Sequence, residues 1–165
     1  MTQSFRRGLL GCGMLVVLAA AVIAWAPARQ VRPTSSGRQV VRPERFPATG
    51  LPYSPGILVN DTLYLSGQLG RDPATAKLVP GGIEAETRQA LANIREVLKA
   101  AGMDFADVVT VTAFITSFDD FSKFNEVYRE IFSTAPPARA TVQVAGLNLG
   151  AHIEIQMIAA RPGPR

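Results

Sequence analysis

The segment HIEIQMIAA (residues 152–160) sets Ile153, Ile155, Met157 and Ala159 on one side and His152, Glu154 and Gln156 on the other. A period of two specifies a strand with one buried and one more polar face. VVTVTAFITS (residues 108–117) is β-branched and alternates in the same way. Strands of this kind need a cover for their apolar face, and the chain supplies two helical stripes. Ile83, Ala90, Leu91, Ile94, Val97, Leu98 and Ala101 recur at helical spacing over residues 83–101, with Gly102 where a helix stop is expected. DDFSKFNEVYREIF (residues 119–132) puts Phe121, Phe124, Tyr128, Ile131 and Phe132 on one face, an aromatic stripe that reads as core. ILVNDTLYLSG reads as a hairpin around Asn60-Asp61, and RDPATAKLVPGG as a loop. APPARATVQV turns through Pro136-Pro137 into a strand near residues 139–144. The order β-β-α-β-α-β-β predicts an α+β fold, a single sheet with both helices on one face.

The 165 residues leave room for one domain and some extra sequence. With 47% hydrophobic and 18% charged residues, a packed core is affordable and global disorder is excluded. The extra sequence lies at the N-terminus. Arg6-Arg7 precede a charge-free run over residues 8–28, long enough to span a bilayer if helical, and Ala26-Pro27-Ala28 offers a small-x-small cleavage pattern. Residues 1–28 are therefore expected to be a signal peptide or transmembrane anchor, with the domain exported (periplasmic) or held at a membrane. Arg residues on both sides of the run leave the orientation open, the cytoplasmic face of the membrane included. Residues 29–50, rich in Pro and Arg, read as an extended linker reaching roughly 25–30 Å. Residues 51–165 are the expected domain.

Net charge is +4, but it is unevenly placed. Residues 1–50 hold seven Arg against Glu44, giving +6; residues 51–165 hold ten Lys and Arg against twelve acids, giving −2. A mildly acidic domain argues against a nucleic-acid groove. One Cys (Cys12) and one His (His152) are too few for a disulfide framework or a Cys/His metal site. Cys12 also sits in the apolar run, apart from His152, so a Cys–His nucleophile pair is disfavoured. Chemistry here falls to carboxylates, Arg, hydroxyls and backbone groups.

Two residues stand out. Arg139 opens a strand directly after the Pro-Pro turn, where its planar fork of donors matches a carboxylate. Glu154 is the only carboxylate of the terminal strand, read as adjacent to the strand of Arg139. Among apolar neighbours its pKa is expected to rise, which suits proton exchange with water near neutral pH. A plain salt bridge or a solvent-facing pair fits the same spacing, so the residues alone leave both roles open. Tyr53, Ser66 and Asn125 are individually uninformative, and Ser66-Gly67 fits a turn as well as an exposed hydroxyl beside a bare backbone N–H.

Taken together, LPYSPGI, TLYLSGQLGRDPATAKLV, ETRQALANIREVLKAAG, VVTVTAFITSFDDFSKFNEVYREIF and PPARATVQVAGLNLGAHIEIQMIA resemble the RidA/YjgF family of enamine/imine deaminases over residues 51–160. The resemblance implies a chorismate-mutase-like fold and a homotrimer with ligand clefts between subunits. It implies hydrolysis of reactive 2-imino or 2-enamino acids to 2-keto acids and ammonia, with no cofactor and no metal. By position, Arg139 would clamp the substrate carboxylate, and Glu154 would orient the attacking water and handle its proton. Tyr53, Ser66 and Asn125 would line the cleft, Gly67 would allow close backbone approach, and Thr141 would form a wall.

Three positions depart from the family pattern: Pro55 replaces a Gln, Thr141 a Cys, and Gln156 the second acid of the terminal strand. Three other readings of the fold remain. A non-catalytic module would hold keto acids or other small carboxylates in the same Arg139 cleft. A chaperone-like protein would act through surface apolar patches. A ribonuclease would need the basic surface that this domain lacks.

Overall fold

In the computed structural model the described residues are 37–44, 46 and 50–161. The expected leader, residues 1–28, and the start of the expected linker lie outside them. The strands are β1 (Gln39–Val41), β2 (Gly56–Val59), β3 (Thr62–Leu65), β4 (Gln68–Leu69), β5 (Val108–Ile115), β6 (Ala138–Gln143) and β7 (Ile153–Ala160). The helices are α1 (Gly82–Ala100) and α2 (Phe121–Ile131).

The hairpin forms where the sequence signals it. β2 and β3 pair antiparallel around Asn60, whose φ of 53° lies in the left-handed region that Asn tolerates. The other strands complete a mixed sheet in the order β1-β2-β3-β7-β5-β6, with β4 continuing beyond β3 along β7. β5 and β6 are parallel, as a strand–helix–strand crossover through α2 requires, and the remaining pairs are antiparallel. That crossover places β6 on one edge of β5 and leaves the other to β7. Glu154 and Arg139 therefore do not stand on adjacent strands, which corrects the sequence reading: β5 lies between them.

Both helices cover one face of the sheet. Val111, Ala113, Ile115, Ile153, Ile155 and Met157 are no more than 1% exposed there, packed under Ile94, Val97 and Leu98 of α1 and Phe124 and Val127 of α2. α1 ends in a double backbone closure, Gly102 N–H to the Lys99 carbonyl and Met103 N–H to that of Leu98, both 2.9 Å. The opposite face is open: Tyr64 is 49% exposed and Val142 43%.

The domain begins earlier than the sequence reading has it. β1 lies within the expected linker and pairs with β2, and Val41 is buried in the core. Two valines among Arg and Pro give too short a pattern to register as a strand.

Candidate functional site

Where β3 gives way to β4 the ladder slips by one residue. Tyr64 stands opposite Ile158 and Gln68 opposite Ile155, so four steps on one strand match three on the other. The extra residue is taken up at Ser66-Gly67, a bulge of the kind that re-aims side chains beside a site. Glu154 projects onto it. A Cβ on Gly67 would fall 1.8 Å from Glu154 Oε1, so only a glycine leaves room for this carboxylate. Burial raises the Glu154 pKa from its ordinary value.

The bulge is braced on both sides. Ser66 Oγ donates to the Ser54 carbonyl at 2.7 Å and Ser66 N–H to that of Pro55 at 3.0 Å, which ties the loop carrying Tyr53 to the bulge. Gln68 is 5% exposed, and its Nε2 donates to the Ser66 carbonyl at 3.1 Å. From α1, Asn93 Nδ2 donates to the carbonyls of Leu69 (3.1 Å) and Arg71 (2.9 Å). Tyr53, Ser66, Gly67, Gln68, Asn93 and Glu154 share one cavity of about 840 Å³.

Arg139 stands elsewhere. It is paired with Val111 on the helix-covered face, whereas Glu154 is paired with Phe114 on the open face. Its guanidinium lies 4.5 Å from the Tyr128 ring centre and 5.0 Å from that of Phe124, and Nη2 donates to Asn125 Oδ1 at 2.7 Å. This aromatic cradle fixes the fork at the sheet edge. Burial pushes the Tyr128 phenol up to about 12, against the opposing pull of Arg139. Thr141 follows two residues along β6, its hydroxyl buried and without a hydrogen-bond partner.

The seven sequence-predicted residues thus form two groups. Tyr53, Ser66, Gly67 and Glu154 share the cavity; Asn125, Arg139 and Thr141 sit together around α2 and β6. One chain does not bring the two groups to a common point. Gln68 and Asn93 are site residues that the sequence reading misses. Gln68 carried no local signal, since alternation from Leu63 and Leu65 puts residue 68 on the open face and the bulge reverses it. For Asn93 the signal was an amide beside Ile94 at the border of the apolar stripe. Among the described residues, no group of three or more His, Cys, Asp or Glu is placed to hold a metal ion.

Residues 44–161 match the sequence profile of the family described as Endoribonuclease L-PSP. The chain belongs to this family, RidA/YjgF. The 2-iminobutanoate/2-iminopropanoate deaminase of Bos taurus is 49% identical over 127 residues, covering 77% of this chain and 92% of the relative. The protein of the same name in Homo sapiens is 45% identical over the same length. Among solved structures, a putative endoribonuclease of Thermotoga maritima superimposes with a TM-score of 0.73 at 41% identity, covering 76% of this chain and 98% of the other. RidA of a Psychrobacter species gives 0.72 at 40%, covering 75% and 100%.

These RidA/YjgF relatives bear out the α+β fold and overturn the expected export or membrane anchoring. The bovine and human deaminases are matched over nine-tenths of their length by 127 residues of this chain. No helix among the described residues is long and apolar enough to cross a membrane. The expectation rested on hydropathy in residues 1–28, outside the described residues, and nothing in the relatives supports it.

Proposed function

We propose that the protein hydrolyses small 2-imino acids and their 2-enamino tautomers to 2-keto acids and ammonia. It acts as a homotrimer whose clefts take Arg139 from one subunit and Glu154 from the next. The observation that carries this reading is that Arg139 and Glu154 stand on opposite faces of one sheet with β5 between their strands, so one chain does not set the clamp and the carboxylate against the same substrate. Deaminases 45–49% identical over the whole domain supply the reaction class. Exposed apolar residues on the open face, Tyr64 and Val142 among them, fit burial against further copies.

The chemistry constrains the parts. A 2-imino acid carries a carboxylate beside an electrophilic C=N carbon. Arg139, held by Asn125 and the aromatic cradle, grips that carboxylate through two donors and fixes the carbon. The Glu154 carboxylate takes a proton from water as the oxygen bonds to carbon and the protonated imine nitrogen receives the C=N electron pair. Glu154 returns its proton to the carbinolamine nitrogen. As the C–N bond breaks, the oxygen's electron pair forms C=O while the freed Glu154 carboxylate takes the hydroxyl proton and passes it to solvent. Ammonia and the keto acid leave, and the carboxylate is restored. Desolvation, by raising its pKa, suits Glu154 to this exchange.

The family's descriptive name points to RNA cleavage, but residues 37–165, the domain with β1 included, hold thirteen acids against thirteen Lys and Arg and lack the expected basic footprint. The test is conversion of 2-iminobutanoate, generated in situ, to 2-ketobutanoate. Acceleration over spontaneous hydrolysis supports the deaminase. Saturable keto-acid binding without acceleration identifies the non-catalytic binding module instead.

A further inference from the structure

Glu86 is the most deeply buried carboxylate among the described residues, 3% exposed within the apolar stripe of α1. A carboxylate in such a place is costly unless its oxygens are satisfied. Both are. Oε2 accepts from the backbone N–H of His152 at 2.8 Å, and Oε1 lies 2.7 Å from His152 Nδ1. His152 is also held on its other side, its carbonyl accepting from Thr116 N–H at 3.1 Å. The residue after it begins β7, and Glu154 is one further.

The same stretch of α1 grips the facing strand. A Cβ on Gly70 would lie 2.4 Å from Glu86 Cα, so the helix backbone rests directly on the end of β4. Two turns on, Asn93 holds the carbonyls of Leu69 and Arg71. Leu69 is the residue paired with Glu154 across the ladder. One helix face therefore fixes β4 and β7 at the point where the Gly67 bulge receives the Glu154 carboxylate.

We infer that Glu86 is a positioning residue for the hydrolysis: by clasping His152 it sets the head of β7, and with it the placement of the Glu154 carboxyl against the bulge. The inference rests on the proposed role of Glu154 and adds a residue that touches no substrate. Catalytic groups lose effect steeply with small displacements, so a loosened clasp shows in turnover while Arg139, on the other face, continues to hold the substrate carboxylate. Glutamine can replace the clasp, with Oε1 accepting from the backbone N–H and Nε2 donating to a neutral imidazole Nδ1. Leucine cannot.

The experiment compares Glu86→Leu, Glu86→Gln and His152→Ala in the full chain, by imine hydrolysis and by NMR titration of the Glu154 carboxyl carbon, assigned with Glu154→Gln. Glu86→Leu should lower kcat by about tenfold or more with KM moved less than about threefold, and Glu86→Gln should recover most of the loss. In Glu86→Leu the Glu154 titration should fall towards the ordinary carboxylate value as water enters; in Glu86→Gln it should stay raised. His152→Ala removes one of the two grips at a half-exposed position, so it decides the matter if Glu86→Leu does not fold; kcat should drop there too, by less. Unchanged kcat in both Glu86→Leu and His152→Ala, or equal losses in the Leu and Gln variants, overturns the inference. If the wild type hydrolyses no imine, the deaminase reading fails by itself, and an unaltered Glu154 titration in Glu86→Leu still overturns the positioning role.

Discussion

Gly67 is where one added methyl group does the most specific harm. Its Cβ would coincide with the Glu154 carboxylate, a flexible side-chain end that can move aside without unfolding the strand. Gly67→Ala should leave the melting temperature close to that of the wild type and cut kcat by about tenfold or more, because the carboxyl is pushed off the water's path. Wild-type kcat in that variant would show that the Gly67–Glu154 contact is incidental. In the proposed mechanism Glu154 also sets the pH response. Burial raises its pKa above the ordinary 4.5, so the carboxylate that accepts the water's proton fills only above the raised value. The rate should fall on the acid side with an apparent pKa above 4.5, and Glu154→Gln should lack that limb. Stability runs the other way: the native state holds this proton more tightly than the unfolded chain, so the contribution is full below the unfolded pKa and lost as pH rises through the folded one. Glu154 and Arg139 were visible in the sequence because a lone carboxylate and a lone Arg on apolar strands contrast with their neighbours. Ser66 was visible only in part: its hydroxyl is spent on the Ser54 carbonyl, which no local pattern announces.

Helix α1 links the scale of single residues to that of the sheet. Its apolar stripe was legible in full, since every residue the periodicity selects is buried. Glu86 and Thr87 were not, because a scan for apolar spacing discards polar residues, and their partners lie in distant segments or in the helix backbone. β1 and β4 were missed for a related reason. Strands of three and two residues carry too few side chains to show a period, and pairing with longer neighbours makes them strands. The packing of α1 on β4 gives a stability test. Gly70→Ala places a methyl group against helix backbone, which cannot swing away as a side-chain end can. It should cost about 1–3 kcal/mol in chemical denaturation, the range for overpacking a tight contact. An unchanged denaturation midpoint would mean that the helix rests less closely on β4 than described.

At the scale of the whole molecule, the central claim is that a working cleft needs two chains. The sequence pattern named the two candidate residues but could not show their separation, which follows from the sheet order: β5 stands between β6 and β7, and alternation sends Arg139 and Glu154 to opposite faces. The claim is tested by mixing Arg139→Ala and Glu154→Gln subunits, each inactive alone, under conditions that exchange subunits. Every mixed trimer then contains one cleft with an intact Arg139 from one chain and an intact Glu154 from another. Random equal mixing should restore about a quarter of wild-type imine hydrolysis, the share of clefts that statistics make whole in a closed ring of three. No recovery, with mixed trimers confirmed by native mass spectrometry, would place both residues' work within a single chain and contradict the account.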